Sequence, residues 1–274
     1  NGALLIAGIP YAKAPVESLR FRPPQPLATF AEPYPALKFS PAAPQIPSGG
    51  MTDNAPVRWS EDCLYLNISA PVEALEANDS GNRAVMVWIH GGGYTSGQGA
   101  IPWYNGNRFA KNNDIVVVSI NYRLGALGFA DLTHLGEEFA TSNINGTLDQ
   151  IAALQWVQDN IAAFGGDPSR VTIAGESAGG FSVATLMACP SAEGLFQQAI
   201  PQSGACHHTL PQEASKKVTE HFLGELGLNS AVELEAASAE DILAAQKSTT
   251  AHFAQGAGQV NSLEVAVSPF YPVH

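Results

Sequence analysis

Short apolar runs separated by polar turns predict a succession of strands along most of the chain. The predicted strands lie at 4–7, 64–68, 84–89, 114–120, 171–174 and 198–200. The run at 114–120 is almost continuously apolar, as in a strand that is buried on both faces. Helical spacing lies between several of these runs, so the pattern predicts an α/β fold with a central, mostly parallel sheet and helices on both faces.

The longest helical pattern runs from Thr147 to Phe164. Thr147 and Gln150 fit a capping box, and the run that starts at Gly165 is expected to end the helix. One stripe of this helix carries its apolar residues. These are Leu148, Ile151, Leu154, Val157, Ile161 and Phe164.

Further helices are expected from residue 178 to Cys189 and over 211–226, where Gly227 marks the end. Ser238 and Asp241 predict the start of another, short helix. No strand pattern follows residue 205, so 205–274 is interpreted as the beginning of a helical cap over the sheet. Residues 1–274 are interpreted as the N-terminal part of a single domain.

Proline is concentrated at the start of the chain. Residues 1–60 hold 11 of the 19 prolines. Because proline fixes its backbone and cannot donate to a ladder, we expect loops around the core here, after the first strand.

Composition narrows the classes of function. The chain has 274 residues, 45% of them hydrophobic and 14% charged, with a net charge of -12 and 13 scattered Lys and Arg. Such a balance argues against nucleic-acid binding, and no apolar run is long enough to span a membrane. Three cysteines are too few for a disulfide framework, and the cellular compartment stays open.

The stretch Gly175-Glu176-Ser177-Ala178-Gly179 follows a predicted strand and precedes a predicted helix. This is the G-x-S-x-G pattern of a nucleophile elbow, in which glycines make room for a serine on a sharp turn. Ser177 is therefore a candidate nucleophile.

A second motif, His90-Gly91-Gly92-Gly93-Tyr94, follows the strand predicted at 84–89. Successive glycines allow backbone N–H groups to point at a developing oxyanion. The two motifs together predict an acyl-transfer site, although two ordinary glycine turns remain the simpler alternative.

Eight segments in one order resemble the type-B carboxylesterase and cholinesterase family. They are Gly8 to Ala12, Leu19 to Phe21, Ser60 to Asn67, His90 to Tyr94, Asn121 to Gly125, Phe164 to Pro168, Gly175 to Gly180 and Gln202 to Gly204.

The resemblance implies an α/β-hydrolase fold and cleavage of carboxylic esters through an acyl-enzyme on Ser177. It implies an oxyanion hole formed by the N–H groups of Gly92, Gly93 and Ala178. Glu176 and Ser203 would support the site, Ser203 as a buried second serine.

The resemblance also implies two buried ion pairs, Arg20 with Glu61 and Arg123 with Asp149. No cofactor or metal is expected, because Cys206, His207 and His208 lack a second ligand pair and are interpreted as a polar loop. For the aromatic residues Tyr94, Trp103 and Tyr104, two alternatives stay open: these side chains line a substrate pocket, or they belong to the core.

Two departures from the family pattern concern substrate and redox chemistry. The region at 41–45 lacks the cysteine that pairs with the equivalent of Cys63, so Cys63 is expected to be a free thiol. The loop between Ala43 and Cys63 has no tryptophan in its middle, and Trp59 lies too near the cysteine to replace it. Choline esters are therefore expected to be poor substrates.

The third departure concerns the catalytic triad. The order in this fold is Ser, acid, His, and family members are about twice as long as this chain. Only 97 residues follow Ser177, so the acid and the base are expected outside this chain, on a companion polypeptide. The histidines at 207, 208, 221, 252 and 274 are not expected to serve as the base.

Two classes of function remain for the chain. The first is a serine carboxylester hydrolase acting on a small-molecule ester. The alternative is a catalytically inactive, cholinesterase-like binding or adhesion module, or an inactive fragment of the esterase. Because Ser177 and the three donor positions are intact, the enzyme is the preferred hypothesis.

Overall fold

In a computed structural model, the chain is built around a six-stranded sheet, and the structure describes residues 2–47, 57–76, 81–228, 230–255 and 268–273. The strands are β1 (Ala3–Pro10), β2 (Tyr65–Pro71), β3 (Arg83–Ile89), β4 (Val116–Ile120), β5 (Gly166–Glu176) and β6 (Gln198–Gln202). Each of the six strands predicted from the sequence is present.

The strand order is β1-β2-β4-β3-β5-β6. The pairs β4-β3, β3-β5 and β5-β6 are parallel, whereas β1-β2 and β2-β4 are antiparallel. The sheet is therefore mostly parallel at the end that carries the two glycine motifs.

The helices are α1 (Asn107–Asn113), α2 (Gly125–Phe129), α3 (Asn145–Asn160), α4 (Ala178–Leu186), α5 (Gln212–Leu226), α6 (Ala231–Ala236) and α7 (Ala239–Ala254). Two close approaches show which faces they cover. A β-carbon placed on Gly106, just before α1, would lie 2.5 Å from Cβ of Val117. On the opposite face of the sheet, Ile161, just after α3, lies beside Val85. The prediction that helices cover both faces of the sheet is therefore confirmed.

Helix α3 corrects the predicted capping box. It begins at Asn145, two residues before Thr147, and no side chain caps its first turn. Gln150 instead donates from Nε2 to Ser182 Oγ at 2.9 Å. Leu154 and Val157 of the predicted stripe are fully buried. The stop signal is confirmed, because Gly165 has a φ of 76° directly after the helical segment.

The helices after β6 are partly as predicted. Gly227 ends α5 with a φ of 67°, and the Ser238 hydroxyl accepts from the N–H of Asp241 at the start of α7. The short helix expected there is wrong, because α7 has 16 residues. Helix α6 was not predicted, and neither were α1 and α2. The assignment of 205–274 to a cap, and of 1–274 to one domain, stays a prediction.

Contacts at the start of the chain agree with the sequence analysis. In the described part of 11–64, the regular structure is a single 3-10 turn at Glu17–Leu19. Arg20 donates to Glu61 at 2.6 and 2.5 Å. Cys63 is a buried free thiol, and burial raises its pKa.

The second predicted ion pair is also present and belongs to the core. Arg123 donates to both carboxylate oxygens of Asp149 at 2.7 and 2.8 Å, and both side chains are nearly or fully buried.

Among the described helices, none is both long and apolar enough to cross a membrane.

Candidate active site

Ser177 lies at the turn between β5 and α4, with φ 55° and ψ -123°. A non-glycine residue in this region costs roughly 1–3 kcal/mol and persists only where its surroundings hold it. Two hydrogen bonds do so. The Ser177 N–H donates to the carbonyl of Gln202 at 3.0 Å, and the Ser177 carbonyl accepts from Phe181 N at 2.8 Å. The side chain is half-buried.

Two glycines allow this turn to pass directly over the end of β3. A β-carbon on Gly179 would overlap the carbonyl oxygen of Ile89. One on Gly175 would lie 2.7 Å from the same oxygen and 2.6 Å from the Gly179 backbone. Any larger residue would push the elbow away from β3, which is the strand that leads into the second motif.

The second motif therefore lies beside the elbow. A β-carbon on Gly91 would lie 3.2 Å from Cβ of Ser177, and 2.5 Å from the backbone oxygen of Glu176. Gly92 and Gly93 follow with φ 114° and 61°. The structure thus brings together the residues that the two motifs supplied.

Ala178 is the first residue of α4. The first N–H groups of a helix have no acceptor within the helix, so the N–H of Ala178 belongs to the positive end of α4, next to the serine. Gly92, Gly93 and Ala178 are the three donor positions expected from the sequence.

The two supporting residues differ in their surroundings. The Glu176 carboxylate lies 3.3 Å from the position of a β-carbon on Gly91. Burial, and secondarily this carboxylate, raise the pKa of Tyr104. Ser203 is exposed, with φ 49°. In the described chain Ser203 is not buried, because it follows the exposed strand β6, and its supporting role stays a prediction.

His90 is fully buried beneath the glycine loop. Its ring stacks on Tyr122 at 4.5 Å, and its Nδ1 lies 2.8 Å from the carbonyl oxygen of Gly91. Burial lowers the pKa of His90 to about 4. The imidazole is therefore neutral at pH 7 and donates from Nδ1 to Gly91.

The structure decides between the two alternatives for Tyr94 only, and a substrate-lining role for Trp103 and Tyr104 stays a prediction. Tyr94 is fully buried in the core. Trp103 and Tyr104 line a pocket of about 390 Å³. Trp88, Ile200 and Gln202 border the same pocket, and Trp103 is 69% exposed.

Four further histidines of the described chain follow β6 in the sequence. His208 stacks on Phe181 at 3.6 Å, next to His207. The ring centroids of His221 in α5 and His252 in α7 lie 3.9 Å apart, with the ring planes tilted by 31°. In the described part of the chain, the Ser177 hydroxyl has no histidine as a hydrogen-bond partner. His274 lies outside the described residues.

Two buried residues near the glycine loop were not singled out from the sequence. Gln45 exchanges two hydrogen bonds with the backbone of Gly97, and Ser96 donates its hydroxyl to the carbonyl of Gly92. Neither residue belongs to a recognisable motif. The structure is needed to find them, because Gln45 is 52 residues from its partner.

Comparisons with known proteins agree with one another. The model of the carboxylesterase family matches residues 6–273. The para-nitrobenzyl esterase of Bacillus subtilis is 45% identical over 249 residues, which are 89% of this chain and 49% of that protein. Carboxylesterase 1D of Mus musculus is 46% identical over 210 residues, 72% of this chain and 35% of that protein.

Solved structures give the same picture. A thermophilic para-nitrobenzyl esterase has a TM-score of 0.88 at 41% identity and covers all of this chain and 54% of its own. A carboxylesterase of Geobacillus stearothermophilus has a TM-score of 0.83 at 39% identity over 94% of this chain and 56% of its own.

The chain spans about half the length of the first of these relatives. Because the relatives align over most of this chain, the comparisons do not support the companion polypeptide expected from the sequence.

Proposed function

The chain belongs to the carboxylesterase family, and from this premise we propose that it carries the nucleophile and the oxyanion hole of a serine carboxylic ester hydrolase. The observation that carries the proposal is the strained backbone of Ser177, with φ 55°, beside the glycine loop. Such strain at this half-buried turn has a use if the hydroxyl must be presented to a substrate.

The proposed reaction begins with attack of Ser177 Oγ on the ester carbonyl carbon. The carbonyl π electrons move onto oxygen, and the hydroxyl proton goes to a general base. The N–H groups of Gly92, Gly93 and Ala178 stabilise the oxyanion. Collapse of the intermediate breaks the bond to the alcohol oxygen, which takes the proton back from the base, so that a neutral alcohol leaves and the acyl-enzyme remains. Water, deprotonated by the same base, then attacks the acyl carbon and releases the acid and free serine.

The field at the site favours this step. The glycine loop and the start of α4 contribute positive partial charge where the oxyanion develops. His90 beneath the loop is neutral and donates to Gly91, so it adds no positive charge of its own to the site. The triad acid and base remain, in this proposal, outside residues 1–274.

For the substrate, we propose small neutral esters with an apolar acyl or alcohol group. The support is the aromatic pocket of Trp88, Trp103 and Tyr104, whose lining includes Gln202. The carbonyl of Gln202 accepts from the N–H of Ser177. Nitrobenzyl and nitrophenyl esters are suitable probes, since a relative is named a para-nitrobenzyl esterase.

The experiment is covalent labelling of the active enzyme that carries this chain. A fluorophosphonate should modify Ser177 alone, and Ser177→Ala should abolish both labelling and nitrophenyl acetate hydrolysis. Ser169→Ala is the control, because Ser169 is exposed on β5 outside the two motifs, and this variant should be labelled and active like the wild type. Labelling at another residue, or undiminished hydrolysis by Ser177→Ala, contradicts the assignment of Ser177 as the nucleophile. A wild-type protein that is neither labelled nor hydrolytic would favour the binding module.

A further inference from the structure

The glycine loop after β3 has a backbone that does not hold itself in place. Gly92, Gly93, Tyr94 and Gly97 have φ of 114°, 61°, 60° and 107°. Left-handed backbone at Tyr94 is unfavourable by roughly 1–2 kcal/mol, and glycine has many other conformations available. The observed path therefore depends on contacts with the rest of the chain.

Inside the loop, the Gly92 carbonyl fixes one peptide plane. It accepts from the N–H of Thr95 at 3.1 Å and of Ser96 at 3.0 Å, and the Ser96 hydroxyl donates to it at 3.2 Å. In a trans peptide the N–H of the next residue points opposite to the carbonyl. The turn at 95–96 therefore sets the direction of the N–H of Gly93, one of the proposed oxyanion donors.

The turn itself is held from outside by the side-chain amide of Gln45. Its Oε1 accepts from the N–H of Gly97 at 2.9 Å, and its Nε2 donates to the carbonyl oxygen of Gly97 at 2.8 Å. The Nε2 group also donates to the carbonyl of Ala43 at 3.0 Å. Gln45 is 2% exposed. Loss of any of these bonds leaves a buried polar group without its partner.

Gly97 is packed closely against the first residues of the loop, so a shift of Gly97 would displace them. A β-carbon on Gly97 would lie 2.5 Å from the carbonyl oxygen of Gly91 and 3.0 Å from Cε1 of His90. A β-carbon on Gly91 would in turn lie 3.2 Å from Cβ of Ser177. Gln45 thus holds the loop at Gly97, where the loop backbone returns to its first residues, His90 and Gly91.

We propose that Gln45 is a positioning residue for the oxyanion loop, which holds Gly97 and thereby the peptide between Gly92 and Gly93 in the orientation that the reaction requires. This inference rests on the proposed function, because it presupposes that Gly92 and Gly93 are the oxyanion donors.

The proposal has a kinetic signature. Oxyanion donors bind the transition state more strongly than the substrate, so misplacing them lowers kcat and leaves KM nearly unchanged. Removal of a whole donor costs about 10²–10³ in rate, and a displaced donor should cost roughly tenfold. General destabilisation would reduce the amount of active enzyme without changing kcat per titrated site.

The test compares Gln45→Glu and Gln45→Met with Gln25→Glu, each in the active enzyme that carries this chain. At position 45, Glu places a carboxylate oxygen against two carbonyl oxygens, whereas Met keeps the length of the side chain and removes all three bonds. Gln25 lies in the same proline-rich segment, and within the described part of the chain its Nε2 donates to the carbonyl of Pro23, two residues away. Fluorophosphonate titration gives the concentration of reactive Ser177 in every variant.

Both variants at position 45 should lower kcat per titrated site about tenfold with KM within twofold, and should weaken a trifluoromethyl ketone inhibitor in the same proportion. Gln25→Glu should behave as the wild type. A folded Gln45→Met with unchanged kcat, or with a loss that falls entirely on KM, overturns the inference. If Ser177 is labelled in the wild type, the proposed function stands even then.

A second variant covers the case in which substitutions at position 45 prevent folding. Ser96→Ala removes the hydroxyl bond to the Gly92 carbonyl within the same loop. It should lower kcat several-fold with KM unchanged. An unchanged kcat in Ser96→Ala would show that the orientation of this peptide does not control the rate, and would overturn the inference.

Discussion

The backbone N–H of Ser177 donates to the carbonyl of Gln202 at 3.0 Å. Gln202 is the last residue of β6, so the proposed nucleophile is held by an edge strand. A β-carbon on Gly180 would also overlap this carbonyl oxygen. The geometry of the elbow therefore depends on both neighbours of β5, with Ile89 of β3 on one side and Gln202 on the other.

The glycine at 179 should be irreplaceable for a steric reason. In Gly179→Ala the new β-carbon overlaps the Ile89 carbonyl oxygen, and we expect a loss of about 2–3 kcal/mol in stability together with loss of activity. Gly224→Ala in α5 is the matched control, since nothing lies within 4 Å of its β-carbon. Alanine there should raise stability by about 0.5–1 kcal/mol. Denaturant unfolding measures both, and equal effects would contradict the packing argument.

Neighbouring glycines of the oxyanion loop should respond differently to alanine. A β-carbon on Gly92 overlaps the carbonyl oxygen of Ser96, so Gly92→Ala must displace the loop and should lower kcat by about 10². At Gly93 the nearest atom is Thr95 Oγ1 at 3.9 Å. Gly93→Ala meets only the backbone strain of φ 61°, about 1–2 kcal/mol, and should retain more activity. The reverse order of kcat would show that crowding by Ser96 does not control the loop.

Burial of His90 predicts a loss of stability in acid. The folded pKa is about 4 against an ordinary value of 6.5, so the unfolded state binds the proton first as the pH falls. The contribution of His90 is present above pH 6.5 and is lost progressively toward pH 4, by about 3 kcal/mol in all. His90→Asn keeps a donor for Gly91 and should show a shallower decline over this range. Identical slopes of unfolding free energy for the two proteins would refute the assignment to His90.

The absence of a tryptophan in the middle of the loop between Ala43 and Cys63 predicts a preference for neutral over cationic esters. Residues 48–56 of this loop lie outside the described residues, and Trp59 pairs through its backbone with Ala42. We expect a lower kcat/KM for butyrylcholine than for an isosteric neutral butyrate ester. A preference for the cation would indicate that the exposed Trp103 binds it, and Trp103→Ala would then remove that preference.

The sequence predicted the elements that carry strong local signals. The apolar run at 114–120 and the stop at Gly227 are both present, because they depend on burial and on a left-handed backbone that few residues adopt. Helix α1 was missed, since Asn107–Asn113 has three asparagines and no side-chain cap. Its position depends on packing against Val117, which no local pattern reveals.

For the candidate site, the motifs located Ser177 and the glycine loop but not what holds them. The hydrogen bonds of Gln45 to Gly97 join segments that are far apart in the sequence. For Ser203, the family resemblance led to an expectation about burial that the described chain does not meet. The resemblance implied a buried serine, whereas its burial depends on what covers β6, and in this chain it is exposed.

Strand β6 leads to the last prediction, because it is an edge strand with little cover. Four of its five residues are exposed, including Ile200, which is 45% exposed beside Trp88 in the aromatic pocket. An edge with free backbone groups and an adjacent apolar face pairs readily with another chain. Residues 1–274 produced alone are therefore expected to aggregate.

The same preparation should be almost inactive, and Ile200→Lys separates the two effects. A lysine on the edge strand should lower aggregation measured by light scattering, whereas Val232→Lys, at a 75% exposed position of α6, should not. Neither variant should gain esterase activity, because a serine without a positioned base keeps a high pKa and the oxyanion hole alone supports only a residual rate. A soluble monomer of 1–274 with ordinary turnover would contradict both arguments. The base would then have to be sought among His207, His208, His221 and His252, by substituting each in turn and measuring kcat against pH.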